Sequence, residues 1–143
     1  MTDDTLVSVT DALRAEEGYS SKPYKDSQGV WTIGIGRNIQ RVGISSDEAE
    51  LMFANDIGRA IKGLDMALPW WKTLDEVRQS ALVQMAFQLG LDGVLNFRKM
   101  RQALMAFDYE TAADEVLNSR WHVQTPKRCE RIAKMIRTGC AEV

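Results

Sequence analysis

The sequence has a single histidine, His122, and two cysteines, Cys129 and Cys140, in 143 residues. No His/Cys cluster has the spacing of a metal site, so neither a metal nor any other cofactor is expected. If both cysteines lie on one helix, eleven residues of rise hold them about 16 Å apart. A disulfide tolerates a Cα separation of only about 7 Å. They therefore read as free thiols in a reducing compartment, packed as small apolar side chains. No apolar run approaches the roughly 20 residues that span a bilayer, which predicts no stable membrane insertion. The start, Met1-Thr-Asp-Asp4, lacks the basic segment and apolar core of a signal peptide. The chain is expected to be made and kept in a cytoplasm unless another agent releases it. Internal repeats, low-complexity runs and linkers are also missing, so residues 1–143 read as one domain.

What is present is ordinary for a globular protein: 45% hydrophobic and 27% charged residues. The net charge of −2 argues against a nucleic-acid partner. The charge is uneven, however. Between Ser119 and Gly139 six basic residues (Arg120, Lys127, Arg128, Arg131, Lys134 and Arg137) face one acid, Glu130. Such a segment is either a solvated helix face or a guide for an anionic polymer.

Helical periodicity dominates the chain. Leu6, Val9 and Leu13 give a first helix over about 4–17 an apolar stripe that should dock on something distant in sequence. Ser45 and Glu48 form a capping box before a helix that runs to about Leu64, some 28 Å of rod. Leu68-Pro69-Trp70-Trp71 ends it, with the tryptophans read as packing. Thr73 and Glu76 read as a second capping box, opening a broad apolar helix that Gly90 stops. Shorter helices are expected at about 93–105 and 109–118. A last one starts at Thr125-Pro126 and ends near Gly139.

The stretch LRAEEGYSSKPYKDSQGVWTIGIGRN, residues 13–38, breaks this pattern. It reads as a helix end at Gly18, a turn at Asp26-Ser-Gln-Gly29, and a short hairpin over 23–40. Gly34 and Gly36 interrupt its strands, which predicts a bend or the close approach of another group. Eight residues separate Glu17 from Asp26, and five more separate Asp26 from Thr32. A helix end and a hairpin can hold two carboxylates and a hydroxyl around one opening. Two carboxylates flanking a bond are what glycoside hydrolysis needs.

With Glu17-x8-Asp26-x5-Thr32, Thr32-Ile-Gly-Ile-Gly36, Met85-Ala-Phe-Gln88 and Ser119-Arg-Trp-His-Val-Gln-Thr-Pro-Lys-Arg128, the chain resembles the phage-type lysozymes, endolysins related to the lysozyme of T-even coliphages. The likeness covers nearly the whole chain. It implies an α+β, mostly α fold: a small N-terminal lobe of about 14–50 with a β-hairpin, a linking helix of about 46–64, and a larger helical lobe of about 65–143 plus helix 4–13. It implies cleavage of the β-1,4 bond between N-acetylmuramic acid and N-acetylglucosamine in peptidoglycan, by inversion. The enzyme would be a metal-free monomer of the host bacterial cytoplasm, reaching the wall after a holin-type protein permeabilises the membrane.

Roles follow residue by residue. Glu17 matches the general acid, and the negative end of a helix dipole favours the protonated form there. On its own it would be an unremarked helix-end acid, and Asp26 a turn aspartate capping nearby N–H groups. The resemblance makes Asp26 the ionised partner, with Thr32 orienting a water. Gly36 and Asn38 would line the groove from the hairpin side. Phe87 and Gln88 suit an N-acetylated sugar, apolar on one side and hydrogen-bonding on the other, although Phe87 also reads as core. Arg128 matches an arginine that reaches toward the acid.

The chain also departs from the T-even pattern. Arg37 stands where that type has a histidine thought to pair with an aspartate on the long helix. The matching acid is Asp56, so an Arg37–Asp56 pair is expected, insensitive to pH near neutrality. Asn38, Met100 and Glu115 also differ in type from other sugar-contacting positions. Other readings are a non-catalytic wall-binding or structural module, a nucleic-acid binder using the basic segment, and a glycosidase of chitin.

Overall fold

The computed structural model describes residues 1–141. The order of elements is α1 (Asp3–Glu17), β1 (Ser20–Lys25), β2 (Trp31–Gly34), β3 (Arg37–Asn38), α2 (Ile39–Val42), α3 (Ser46–Ala67), a 3-10 turn (Pro69–Thr73), α4 (Glu76–Leu95), α5 (Arg98–Met105), α6 (Tyr109–Leu117), α7 (Arg120–Gln124) and α8 (Pro126–Thr138). This is the expected α+β, mostly α class. The chain divides into two compact units, Met1–Leu51 and the residues from Met52 onward, and the division falls inside α3.

In the first unit, α1 starts at Thr2, whose hydroxyl accepts from the Thr5 N–H, and stops at Gly18 with a φ of 67°. The expected hairpin is a three-stranded antiparallel sheet in the order β1-β2-β3. Tyr24 lies opposite Thr32, Lys25 opposite Trp31, and Thr32 in turn opposite Asn38. The third strand was not foreseen because two residues carry no alternation to read. Gly36 turns the chain into it with a φ of 66°. The Ser45 capping box forms as expected. The Ser45 N–H donates to Glu48 Oε1 at 2.8 Å, and the Glu48 N–H donates to Ser45 Oγ at 3.2 Å.

The second unit holds the core. Leu64, Leu68, Leu82, Met85, Val94, Met100, Leu104, Val116, Ile132 and Ile136 are fully buried there. Trp71 is buried with its indole N–H donating to Asp65 at 2.8 Å, and Trp70 packs at the core's margin. Thr73 does not cap α4. Its hydroxyl is turned back to the Trp70 carbonyl inside the 3-10 turn, and Asp75 caps instead, accepting from the Arg78 N–H. Gly90 breaks the helical backbone (φ 76°, ψ 166°), after which the chain continues helical to Leu95. The helix expected from about 93 therefore begins at Arg98. The short helix α7 was not expected at all.

Arg78 closes the end of α8. Its guanidinium donates to the carbonyls of Ile136 at 2.6 Å and Arg137 at 3.1 Å, pairs with Asp75, and stacks on the Tyr109 ring at 3.3 Å. Gly139 ends α8 in the left-handed region, with Arg78 where its side chain would be. The basic segment is partly neutralised, since Arg137 binds both Glu110 and Asp114. Cys129 is buried and Cys140 exposed, both as free thiols.

Candidate active site

Glu17 is the last residue of α1, and its carboxyl lies against the backbone of Gly36. A side chain on Gly36 would place its Cβ 2.5 Å from Glu17 Oε2 and 2.6 Å from Cδ. Glycine is thus required there twice, for the positive φ and for the approach of the acid. The two residues border a concavity of about 320 Å³ with Thr10, Leu13, Arg14 and Ile35.

Asp26 sits in the β1–β2 turn. Its Oδ1 accepts from the N–H groups of Gln28 at 2.8 Å and Val30 at 2.9 Å. The backbone closes the same turn, with the Asp26 N–H donating to the Val30 carbonyl at 2.9 Å. That carbonyl also accepts the hydroxyl proton of Thr32 at 3.0 Å. Asp26, Val30 and Thr32 thus form one network, built by the aspartate turn chemistry that the sequence suggested. Thr32 is buried, with 5% of its surface left exposed. With its proton committed to Val30, its oxygen can only accept, so a water meeting it must donate. Val30 was not anticipated, because a backbone carbonyl leaves no trace in a residue pattern.

Asn38 faces Thr32 across β2–β3, and its side-chain oxygen accepts from the Arg41 N–H, starting α2. Phe87, Gln88 and Arg128 belong to the second unit. Phe87 is half-exposed rather than core, edge-on to Phe53 at 5.6 Å. The Gln88 amide donates to Thr125 Oγ1 at 3.4 Å, and its oxygen is buried without a partner among the described residues. Arg128 follows on α8, half-buried. The structure thus joins Glu17 with Gly36, joins Asp26, Thr32 and Asn38 through the sheet, and brings Gln88 to the start of the helix that bears Arg128.

Arg37 does not pair with Asp56. It binds Glu48 at 2.5 Å, while Asp56 binds Arg59 at 2.6 Å one turn along α3. Glu48 is the nearer acid to β3 along the chain and is already oriented by the Ser45 N–H.

The chain matches the model of the family described as phage lysozyme over residues 14–136. It belongs to the phage lysozyme family. It is 31% identical to probable T4-type lysozyme 1 of Dictyostelium discoideum, over 92% of this chain and 95% of that one. It is 33% identical to the pre-baseplate central spike protein Gp5 of Enterobacteria phage T4, over 98% of this chain but 29% of the spike protein. The peptidoglycan hydrolase gp36 of Pseudomonas phage phiKMV is 30% identical over 82% of this chain, which spans 14% of its length. As a phage lysozyme the chain is a hydrolase of the lysozyme type. A larger concavity, about 610 Å³, lies in the second unit between Phe97 and Trp121, with Met100 and Glu115 in its wall. Size alone does not make it the reacting centre. Glu17, Asp26 and Thr32, the residues that the sequence singled out, all lie in the first unit. No helix among the described residues is long and apolar enough to cross a membrane.

Proposed function

We propose that the chain hydrolyses the β-1,4 bond between N-acetylmuramic acid and N-acetylglucosamine in peptidoglycan, as an endolysin that lyses the host cell. The observation that carries the residue roles is the Asp26–Val30–Thr32 network, in the same compact unit as Glu17 and Gly36. Glu17 gives its proton to the glycosidic oxygen as the bond to the anomeric carbon breaks. Two amides fix Oδ1 of Asp26, which leaves Oδ2 to take a proton from the attacking water. The Thr32 oxygen accepts a hydrogen bond from that water's other O–H, which the water keeps, so that a lone pair is aimed at the anomeric carbon. The water enters on the face opposite the leaving group, and the configuration inverts.

Gly36 and Asn38 are glycan-contacting residues of the first unit in this reading, and the family likeness assigns substrate binding to Phe87, Gln88 and Arg128. The enzyme acts as a monomer. It accumulates in the host cytoplasm and reaches the wall once a holin-type protein has opened the membrane.

Clearing of purified cell walls tests the catalytic roles. Glu17→Gln and Asp26→Asn should each lose about 10²–10⁴-fold in rate, the range for a positioned acid or base. Walls that neither variant nor wild type clears would indicate a binding module. Proton NMR of the first product anomer tests inversion, and retained configuration contradicts it. The likeness to the spike protein favours one second reading, a lysozyme carried within a particle. Finding the chain in washed virions rather than free in lysates would support that reading over the endolysin.

A further inference from the structure

Arg37 follows Gly36 directly in the chain and opens β3, opposite Ile33 of β2. Its guanidinium meets Glu48 with two nitrogens, Nη1 on Oε1 at 2.7 Å and Nη2 on Oε2 at 2.5 Å. Nη1 also donates to the Gly43 carbonyl at 3.1 Å, at the residue that ends α2. Glu48 does not swing freely, because Oε1 accepts the Ser45 N–H at the start of α3. One side chain therefore ties the β2–β3 turn both to the end of α2 and to the start of α3.

We infer that Arg37 and Glu48 are positioning residues of the hydrolytic site, holding the turn so that Gly36 stays against the carboxyl of Glu17. The inference rests on the reading of Glu17 as the general acid. The pair is about one-third exposed on each side, 36% and 39%. Exposed pairs contribute little to global stability. A two-point arginine–carboxylate contact, by contrast, fixes direction as well as distance, which a lysine cannot do. The Arg37 hydrogen bond, helped by Ser45, holds the Glu48 carboxyl down to about 2, so the pair stays charged through neutral and mildly acid conditions. The link to the acid is short. Gly36 is the residue before Arg37, and the Glu17 carboxyl lies where a Gly36 side chain would begin.

The test compares Arg37→Met, Arg37→Lys and Glu48→Gln with wild type. Glutamine keeps the capping box, so Glu48→Gln removes the charge pair and spares the start of α3. Ser45→Ala is the opposite control, weakening the helix cap while Arg37 and Glu48 remain. On soluble peptidoglycan oligomers, Arg37→Met and Glu48→Gln should lower kcat at least about 10-fold with KM within about 2-fold, since a displacement near 1 Å can cost about 10²-fold. Arg37→Lys should restore part of the loss, and the double variant should be no worse than Arg37→Met alone. Ser45→Ala should lower Tm and leave kcat in place. An Arg37→Met enzyme with wild-type kcat, or one whose loss only follows its unfolded fraction, overturns the inference. The 13C resonance of the Glu17 carboxyl gives the same answer without substrate. It moves in Arg37→Met if the pair holds the turn, and stays if it does not. A wild type that cleaves nothing defeats the functional reading, and this resonance then decides the pair alone.

Discussion

Replacing Gly36 by alanine separates the placing of the acid from the stability of the turn. Alanine at a φ of 66° costs about 1–2 kcal/mol in left-handed backbone. At this chain length that lowers Tm by about 3–7 °C. The new methyl also falls 2.5 Å from Glu17 Oε2, 2.6 Å from Cδ and 2.8 Å from Cγ. Ordinary contact between such atoms is about 3.5–4.0 Å, so something must withdraw by about 1 Å. The yielding group is the end of a flexible glutamate, so the clash adds little to the loss of stability. A misplacement of this size can lower the rate about 10²-fold. Gly34→Ala is the internal control: its φ is 69°, and an added methyl meets nothing within 4 Å. Wall-clearing rates and melting curves of the two variants, measured well below Tm, should show similar losses of stability. Only Gly36→Ala should show the large loss of rate. Equal rates in the two variants would refute the claim that Gly36 sets the position of Glu17.

Other outcomes follow from single interactions. Arg78→Ala should destabilise the second unit by about 2–4 kcal/mol in denaturant unfolding, because it strips the carbonyls of Ile136 and Arg137 and removes the Tyr109 contact. Glu48 is held at about 2 in the fold by Arg37, below its ordinary value. Its contribution to stability is therefore fully present above about pH 4.5 and is lost as pH falls toward 2. Asp65, held down by the Trp71 indole, and Asp108, held down by the Thr111 hydroxyl, act in the same direction. Acid titration of Glu48→Gln should accordingly show a shallower fall in stability than wild type. Burial pushes the Cys129 thiol up, while Cys140 is exposed. A thiol reagent should label Cys140 alone in the native chain and both residues after unfolding; rapid native labelling of Cys129 would contradict its burial.

The features legible in the sequence were those fixed by neighbours. The Ser45–Glu48 box, the start at Thr125-Pro126, the end at Gly139 and the turn at Asp26 all involve groups within a few residues of each other. Asp26 and Thr32 come together for the same reason, since one tight turn brings both to Val30. Choices between equivalent partners were not legible. The sequence offered Arg37 more than one acid on α3, and in the structure it binds Glu48. Thr73 and Asp75 are two good caps two residues apart, and the 3-10 turn through Trp70 takes the first away. Helix α7 has five residues, too few to show a period. Phe87, Gln88 and Arg128 carry no local sign of a site, so their assignment rests on the family likeness alone.

The masses of fragments released from purified peptidoglycan test the central claim most directly, because they report the bond, the substrate and the activity together. Wild type should release disaccharide-peptide fragments ending in a reducing N-acetylmuramic acid, and Glu17→Gln should release essentially none. Fragments with a reducing N-acetylglucosamine, free peptides without glycan cleavage, or equal release by Glu17→Gln would contradict the account.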